Sequence, residues 1–291
     1  MNSKTIVFGA SGQLGQCFKK LAADENIDFF IFPAEGEADI LDTVALEKLF
    51  ATHKPVYAVN CAAYTAVDKA EDDAETALKV NKTGVENLAR LCSKYDTTLI
   101  HISTDFVFKG DVSSPLKESD VAKPISVYGQ TKLDGEKVIP ILLDNYFIIR
   151  TGWLYSEFAG NFVKTMLKLG AGHDELKVIA DQVGTPTYGI DLAGLIIHII
   201  KSESTAYGIY HYSNEGVASW YDFSKAIFEL AGTGVKVIPV STSEYKTRAV
   251  RPAYSVMDKT KVKQTFGLQI PYWRDSLAVC IGKLKQQNQV S

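Results

Sequence analysis

The sequence predicts an α/β fold in which a doubly wound parallel sheet is followed by a smaller C-terminal α/β region. Over the first 150 residues, short runs of β-branched and aromatic residues alternate with longer segments of helical periodicity. The short runs are continuously apolar, as expected for strands that helices cover on both faces. A glycine-rich turn also follows the first of these runs directly, where a strand gives way to a helix.

The elements of the first half can be read off in order. Strands are predicted at residues 5–8, 28–32, 57–60, 98–103 and 146–150. Helices are predicted at residues 12–23, 42–52, 74–95 and 127–139, with Pro140 helping to end the last of them. This order of strands and helices is typical of a parallel sheet built from βαβ units.

The alternation becomes irregular after Arg150. Helices are predicted at 161–169, 189–201 and 220–230, a short strand at 236–239, and a polar tail at 283–291 that we expect to fray. We therefore divide the chain into residues 1–152, completed by about 183–202, and a second region of residues 153–291.

Composition excludes several functional classes. The 291 residues carry a formal net charge of -3, without the basic surplus that binders of nucleic acid or membrane surfaces need. The four cysteines are widely spaced, and neither they nor the five scattered histidines show a metal-ligand spacing, so no metal is expected. With no signal-peptide pattern and no run of about 18 apolar residues, we expect a cytoplasmic protein with a small-molecule partner.

The glycine turn predicts a site for a dinucleotide. Its residues are spaced G-x-x-G-x-x-G from Gly9 to Gly15. Without Cβ atoms the backbone can approach a pyrophosphate, which the N–H groups at the start of the next helix then stabilise. A purely structural tight turn is the alternative. The predicted cofactor contacts in this turn are Gly9, Ser11, Gly12, Gln13, Leu14 and Gly15, and residues 1–152 are interpreted as an NAD(P)-binding domain of Rossmann type.

The choice between NADH and NADPH stays open. In many NAD-specific folds a carboxylate ends the second strand and accepts hydrogen bonds from the ribose. Here that strand ends in Phe32, Pro33 and Ala34, with Glu35 as the nearest carboxylate and no clear arginine for a 2′-phosphate. We lean slightly towards NADPH, or use of both.

A tyrosine and a lysine lie four residues apart at Tyr128 and Lys132, hence on one face of a helix. A cation near a phenol stabilises the phenolate and brings its pKa towards neutrality, which suits proton transfer. A solvated helical pair would look the same. The context favours catalysis, because Ser103, Thr104 and Asp105 follow a buried strand that should end at the same sheet edge as the glycine turn. A hydroxyl there could hydrogen-bond a carbonyl oxygen as it gains charge, although capping of a turn is its simpler role.

These motifs resemble those of the extended short-chain dehydrogenase/reductase family, and more narrowly its dTDP-4-dehydrorhamnose reductase branch. The resemblance spans nearly the whole chain. The glycine turn and the Tyr128–Lys132 pair identify the broad family, whereas the segment from Val67 to Glu71 combined with Arg251-Pro252 is much narrower. Further matching segments lie at residues 60–71, 103–108, 150–155, 161–162, 181–187 and 251–255.

The resemblance implies reduction of the C4 keto group of dTDP-4-dehydro-L-rhamnose to dTDP-L-rhamnose, with NADPH or NADH as cofactor. Tyr128 would protonate the C4 oxygen, and Lys132 would lower the pKa of Tyr128 and hold the nicotinamide ribose. Thr104 would be the third catalytic residue. Residues 153–291 would then form mainly a substrate-binding region.

Further contacts follow from the resemblance. Asp105 and Trp153 would touch the nucleotide sugar, and Arg251 is a candidate cation for its pyrophosphate. On the cofactor, Asp39 and Ile40 would border the adenine. Three consecutive residues, Ala62, Ala63 and Tyr64, would line its middle.

Two positions depart from the family pattern. Phe106 stands where relatives commonly have tyrosine, so any hydrogen bond from that phenol is missing. Gln16 follows the glycine turn where a relative with a magnesium-bridged dimer would carry a carboxylate, so we expect any homodimer to form without a magnesium bridge.

Other functions remain as alternatives. A different nucleotide-sugar 4-ketoreductase or an epimerase would share the fold, the glycine turn and the Tyr128–Lys132 pair. A dehydratase is disfavoured because Phe106 cannot ionise. A non-catalytic regulatory subunit that keeps only a nucleotide site would be expected to have a damaged triad, and Thr104, Tyr128 and Lys132 are all present.

Overall fold

A six-stranded parallel sheet lies at the centre of the computed structural model, which describes residues 4–290 apart from the side chains at 35 and 288–290. The strands are β1 (Thr5–Phe8), β2 (Phe30–Ile31), β3 (Tyr57–Asn60), β4 (Thr98–Thr104), β5 (Tyr146–Thr151), β6 (Leu154–Tyr155), β7 (Glu175–Ile179), β8 (Val183–Gly184), β9 (Thr187–Tyr188), β10 (Gly208–His211), β11 (Ala218–Ser219) and β12 (Lys236–Val240). The central sheet has the order β10-β5-β4-β3-β1-β2, and all of its pairings are parallel.

The helices flank this sheet and build the C-terminal region. They are α1 (Gln13–Asp24), α2 (Thr43–His53), α3 (Val67–Ala70), α4 (Ala74–Leu78), α5 (Val85–Tyr95), α6 (Val127–Leu142), α7 (Phe162–Gly170), α8 (Gly189–Lys201), α9 (Trp220–Ala231), α10 (Thr260–Phe266) and α11 (Trp273–Val290). A π-helical segment, Lys79–Gly84, joins α4 to α5. The helix predicted at 74–95 is therefore present, but one stretch of it is wound more widely.

The predicted fold class is confirmed. Successive side chains of a strand point to opposite faces, so a strand buried on both faces must be apolar throughout. In β1, Ile6 and Phe8 pack in one core layer with α2 and α5, while Val7 packs in the other layer with α1 and α8. The continuous apolar runs of the sequence thus reflect two helical layers.

Several elements of the second half were not predicted from the sequence, among them β7, α10 and α11, and details elsewhere differ as well. The sixth strand, β10, was not predicted, because Gly208–His211 is a short run with a glycine and a histidine. Helix α6 continues past Pro140 to Leu142; Pro140 removes one N–H donor, but Leu143 N still donates to Ile139 O at 3.0 Å. The tail at 283–291 belongs to the end of α11, which runs to Val290; residue 291 lies outside the described residues, and fraying of this tail stays a prediction.

The C-terminal region has its own core, in which α7, α9 and α11 pack together through residues such as Val163, Phe223 and Leu277. Three short two-stranded sheets accompany it, β12-β7 and β6-β9 parallel and β11-β8 antiparallel. Among the described residues, none of the helices combines the length and hydrophobicity that crossing a membrane requires.

Candidate active site

The carboxyl ends of four neighbouring strands bring the predicted site residues to one edge of the sheet. There β1 leads into Gly9, β3 into Cys61, β4 into Asp105 and β5 into Gly152. Ligands of open parallel sheets bind at this edge.

The glycine turn approaches the loop after β3 closely. Gly9 has φ +72°, a conformation that favours glycine, and a Cβ atom there would lie 2.7 Å from the backbone nitrogen of Ala62. A Cβ at Gly15 would lie 2.5 Å from Cα of Ala10, so this residue lets α1 pack against the turn. Gly12 is the N-cap of α1, and the first turn of that helix presents N–H groups to the space above.

A cavity of about 550 Å³ opens over this turn. Seven of the predicted cofactor residues line it, namely Gly9, Ser11, Gly12, Asp39, Ile40, Ala62 and Ala63. Leu14 instead packs in the core and is 5% exposed. Tyr64 lies with Tyr128 and Phe106 in a separate cluster. A wall of small residues with a helix N-terminus beneath it fits a dinucleotide and its pyrophosphate.

The far end of the cavity is lined by Pro33, Gly36 and two carboxylates. Asp39 accepts a hydrogen bond from Leu41 N at 2.9 Å, and Asp42 caps α2. Among the described residues that line this cavity, none is a lysine or arginine. The side chain of Glu35 is outside the described part of the chain.

Tyr128 is held by the start of α6. The Ser126 hydroxyl caps that helix by accepting from Gly129 N at 3.1 Å, and the Phe106 ring meets the Tyr128 ring edge to face at 5.6 Å between centroids. Burial raises the pKa of Tyr128 to about 12, with a smaller lowering by a hydrogen bond to Thr104 and a smaller raising by Asp105. The phenol is therefore protonated at neutral pH and can serve as a proton donor.

Lys132 lies one turn further along α6 and is 2% exposed. Its Nζ donates to Ile102 O at 2.7 Å and lies 3.4 Å from His101 Nε2. Burial lowers the pKa of Lys132 to about 8, although the Glu136 carboxylate raises it. In this structure burial of the phenol is the main influence on the pKa of Tyr128, and the lowering of that pKa by Lys132 stays a prediction.

Thr104 and Asp105 form a buried pair beside Tyr128. The Thr104 hydroxyl donates to Asp105 Oδ1 at 3.0 Å and accepts from Phe106 N at 3.2 Å. Burial raises the pKa of Asp105 to about 6, while hydrogen bonds from Ser255 and Thr104 lower it. A Cβ at Gly152 would lie 2.6 Å from the Asp105 carboxylate, so the next strand approaches closely only because that residue is glycine.

Trp153 has the left-handed value φ 51°, which is uncommon for a bulky residue and concentrates at functional sites. Its indole stacks on Trp220 with 3.5 Å between ring centroids and 4° between planes. A Cβ at Gly184 would lie 2.6 Å from the Trp153 ring. The predicted substrate residue is thus clamped between a second tryptophan and a glycine.

Arg251 borders a second cavity of about 310 Å³, together with Phe162, Gln182 and Trp220. Its Nη2 lies 2.6 Å from Asp68 Oδ2, and its Nη1 lies 3.1 Å from Asp68 Oδ1. The structure therefore brings together the two segments, 67–71 and 251–252, on which the narrower resemblance depends.

Sequence reasoning missed three residues of this site. Asp68 and Ser255 were recognised only as parts of matching segments, and Trp220 only as the start of a helix. Each acts through a partner distant in the chain, Arg251, Trp153 and Asp105 respectively. The sequence offered one hint of the contact between Asp68 and Arg251. The segments 67–71 and 251–252 characterise the family together, and such segments can lie in contact.

Known proteins of one family are similar to this chain over nearly its whole length. Residues 3–286 match the family model described as the RmlD substrate binding domain. A dTDP-4-dehydrorhamnose reductase of Aggregatibacter actinomycetemcomitans is 39% identical over 285 residues, 94% of this chain and 97% of the relative.

Two solved structures are similar throughout. A dTDP-4-dehydrorhamnose reductase of Clostridium acetobutylicum has a TM-score of 0.92 and 42% identity, covering 97% of this chain and 99% of that one. One from Bacillus anthracis, solved in complex with NADP, has a TM-score of 0.93 and 37% identity, covering 97% of this chain and all (100%) of that one.

Proposed function

The chain belongs to the RmlD substrate binding domain family, and from this membership we propose that it is a dTDP-4-dehydrorhamnose reductase. It reduces the C4 keto group of dTDP-4-dehydro-L-rhamnose with NADPH or NADH and releases dTDP-L-rhamnose. The observation that carries this function is the placement of Thr104, Tyr128 and Lys132 at the same sheet edge as the glycine-lined cavity.

The nicotinamide cofactor, when bound, supplies the hydride. The backbone of Gly9 and Gly12 and the start of α1 would hold its pyrophosphate, and Ala62 and Ala63 would line its middle. The Lys132 ammonium would donate to its ribose. Gly9 supports this assignment, since a Cβ there would clash with Ala62.

Tyr128 is the proton donor in this proposal. As the carbonyl becomes an alkoxide, the phenol gives its proton to the C4 oxygen. The Thr104 hydroxyl would turn from Asp105 Oδ1, to which it donates in this structure, and donate a hydrogen bond to the same C4 oxygen. The raised pKa of Tyr128 keeps the donor protonated between turnovers. A bound cofactor and the Lys132 charge would have to bring this pKa down for fast transfer.

We assign the second cavity to the nucleotide part of the substrate. Aromatic rings of Phe162 and Trp220 offer a stacking surface for a base, and Arg251 at its border offers a cation for the pyrophosphate. Asp105 and Trp153 then lie between this cavity and Tyr128, where the sugar would sit. In this division residues 1–152, completed by about 183–202, bind the cofactor, and residues 153–291 mainly bind the substrate.

The setting of the reaction is also part of the proposal. All four cysteines are free thiols, which suits a reducing cytoplasm. The Gln16 amide donates to Ser11 O at 2.8 Å and offers no carboxylate, so we propose that any homodimer forms without a magnesium bridge.

The test is a coupled assay with purified protein. The protein is given dTDP-4-dehydro-L-rhamnose with NADPH or with NADH, and cofactor oxidation is followed by loss of nicotinamide absorbance, with the product identified by mass spectrometry. We expect substrate-dependent oxidation and dTDP-L-rhamnose. Oxidation only with another nucleotide-4-keto sugar would reject the substrate, and no oxidation with any of them would reject the reductase.

A further inference from the structure

A chain of three buried side chains runs beneath the proposed site from β3 through β4 to α6. Asn60 is 1% exposed, His101 is fully buried, and Lys132 is 2% exposed. Asn60 Nδ2 lies 3.1 Å from His101 Nδ1, and His101 Nε2 lies 3.4 Å from Lys132 Nζ. The imidazole therefore links the amide to the catalytic lysine through its two ring nitrogens.

The orientation of the Asn60 amide is fixed by the backbone. Ala62 N donates to Asn60 Oδ1 at 3.0 Å, and a backbone N–H can only donate, so the oxygen must be on that side. The NH₂ group then faces His101 Nδ1 and donates to it. Because Nδ1 must accept, the neutral ring carries its proton on Nε2.

In this tautomer two hydrogen-bond donors, the ring N–H of His101 and the ammonium of Lys132, face each other. The Nε2–H of His101 faces Lys132 Nζ, so the lysine ammonium cannot donate to the ring. Its short hydrogen bond goes to Ile102 O at 2.7 Å instead. The remaining ammonium protons are left for a partner outside this chain of side chains, while Nε2–H could donate to the lone pair of an uncharged Lys132 amine.

We propose that Asn60 and His101 are positioning residues that decide where Lys132 presents its protons. By holding His101 in the Nε2–H tautomer, Asn60 removes an acceptor that would otherwise engage the ammonium in addition to Ile102 O, and so keeps the remaining ammonium protons available to the cofactor. The inference rests on the proposed function of Lys132 and adds Asn60 and His101 as residues that act through that lysine.

The other ionisable groups around Lys132 do not decide where its ammonium presents its protons. Burial raises the pKa of the Cys61 thiol above its ordinary value and that of Tyr128 to about 12, so both are uncharged at neutral pH. Glu136 is charged but engaged by Arg150, 2.7 Å away and equally buried. Burial and the Lys132 charge hold the pKa of His101 well below its usual range, so the ring is neutral.

The tautomer can be observed directly. Long-range ¹H–¹⁵N NMR of the histidine ring distinguishes a protonated from an unprotonated nitrogen, and loss of one pattern in His101→Gln assigns the signals among the five histidines. We expect His101 to carry its proton on Nε2 from neutral to mildly alkaline pH. A proton on Nδ1, or on both nitrogens, would overturn the proposal without reference to catalysis.

Asn60→Asp is the variant that should reverse the arrangement. One carboxylate oxygen can still accept from Ala62 N, while the other accepts from His101 Nδ1–H, which leaves Nε2 as an acceptor for the Lys132 ammonium. The added negative charge and the new acceptor both raise the pKa of Lys132 from its value of about 8.

The readout is the pH dependence of NADPH binding, measured by fluorescence titration. In the unmodified protein we expect affinity to fall as the pH rises through the pKa of Lys132, because the ammonium is lost. In Asn60→Asp the midpoint of this fall should move up by about one pH unit or more. Repulsion between the new carboxylate and the cofactor would weaken binding at every pH and leave the midpoint in place.

Asn145→Asp makes the same chemical change at a remote position, where the amide nitrogen lies 3.5 Å from Asp96 Oδ1, and should leave the midpoint unchanged. A flipped tautomer in Asn60→Asp with an unmoved midpoint would disprove the link to Lys132. If Asn60→Asp does not fold, the NMR of the unmodified protein still decides the tautomer. Absence of reductase activity alongside the expected tautomer would reject the proposed function and leave the geometry standing.

Discussion

The guanidinium of Arg251 lies 2.6 Å from the carboxylate of Asp68, although 183 positions separate them in the chain. The Asp68 carboxylate also accepts from Ala249 N at 3.0 Å. Hydrogen bonds from Arg251 and Ala249 hold the pKa of Asp68 below its usual range. This carboxylate therefore holds the segment that carries Arg251 against helix α3.

Asp68→Asn should weaken substrate binding, because Arg251 loses its charged partner and its segment is no longer held beside the second cavity. We expect KM for the nucleotide sugar to rise about fivefold to tenfold, the effect of losing one ordinary hydrogen bond of about 1 kcal/mol, with a smaller change in kcat. Steady-state kinetics measures both. Asp72→Asn, which breaks the exposed ion pair with Arg248, is the control and should leave KM unchanged. A lower KM in Asp68→Asn would instead mean that Asp68 competes with substrate for Arg251.

Tyr128→Phe should remove most turnover and keep the cofactor. The substitution deletes only the phenol hydroxyl, and with it the proton to be donated, while the buried ring still packs edge to face on Phe106. We expect kcat to fall by about 10²-fold to 10⁴-fold, the range for general acid–base catalysis. NADPH affinity should change less than about threefold, because the substitution keeps the aromatic ring and changes the packed volume of the side chain little. Tyr146→Phe is the control, because Tyr146 begins β5 and so lies at the opposite end of that strand from the site. Unchanged turnover in Tyr128→Phe would contradict its role as proton donor.

The parts of the fold that the sequence predicted well are those in which local pattern and burial agree. β1 and β3 are buried over their whole length and are apolar apart from Thr5 and Asn60, so their bounds were predicted at the residue. Gly9 was recognisable because the turn needs its positive φ. β10, by contrast, forms only because β5 offers it an edge, and nothing within Gly208–His211 indicates that edge.

The sequence predicted which residues lie together at this sheet edge, but not the pKa values or ring contacts of their side chains. Tyr128 and Lys132 share a helix face as their spacing requires, yet the pKa of the phenol depends on how deeply α6 is buried against Phe106 and Thr104. Trp153 was recognised and its partner Trp220 was not, because stacking of the two rings depends on how β6 and α9 meet. Tertiary contacts decide such properties, and a single sequence does not show them.

Gly36→Arg should shift the cofactor preference towards NADPH. The described lining at this end of the cavity contains Asp39 and Asp42 and no cation, and a Cβ at Gly36 meets nothing within 4 Å. An arginine there could pair with the 2′-phosphate, and one such contact of about 1.4 kcal/mol is a tenfold change. We expect the ratio of kcat/KM for NADPH over NADH to rise about tenfold. Gly36→Gln, with similar length and no charge, is the control and should leave the ratio unchanged, and an unchanged ratio in Gly36→Arg would place the 2′ position elsewhere.

Asp105→Asn should stabilise the protein at neutral pH and not at acid pH. Burial raises the pKa of Asp105 from 3.8 to about 6 in the folded state, so the folded chain binds this proton more tightly than the unfolded chain does. The favourable contribution is fully present below pH ~4 and is lost as the pH rises through about 6, at a cost of up to about 3 kcal/mol above that pH.

Asparagine does not titrate, so the free energy of unfolding of Asp105→Asn should exceed that of the unmodified protein increasingly between pH ~4 and pH ~7, less whatever is lost in hydrogen bonds from Thr104 and Ser255. Urea unfolding at several pH values measures the difference between the two proteins. The exposed residue Asp144 provides the matched change, Asp144→Asn, for which that difference should be flat with pH. If the difference for Asp105→Asn is also flat with pH, the Asp105 carboxylate is no harder to ionise in the folded protein than in the unfolded chain. Groups other than Thr104 and Ser255 would then have to compensate the cost of burying its charge beside Gly152.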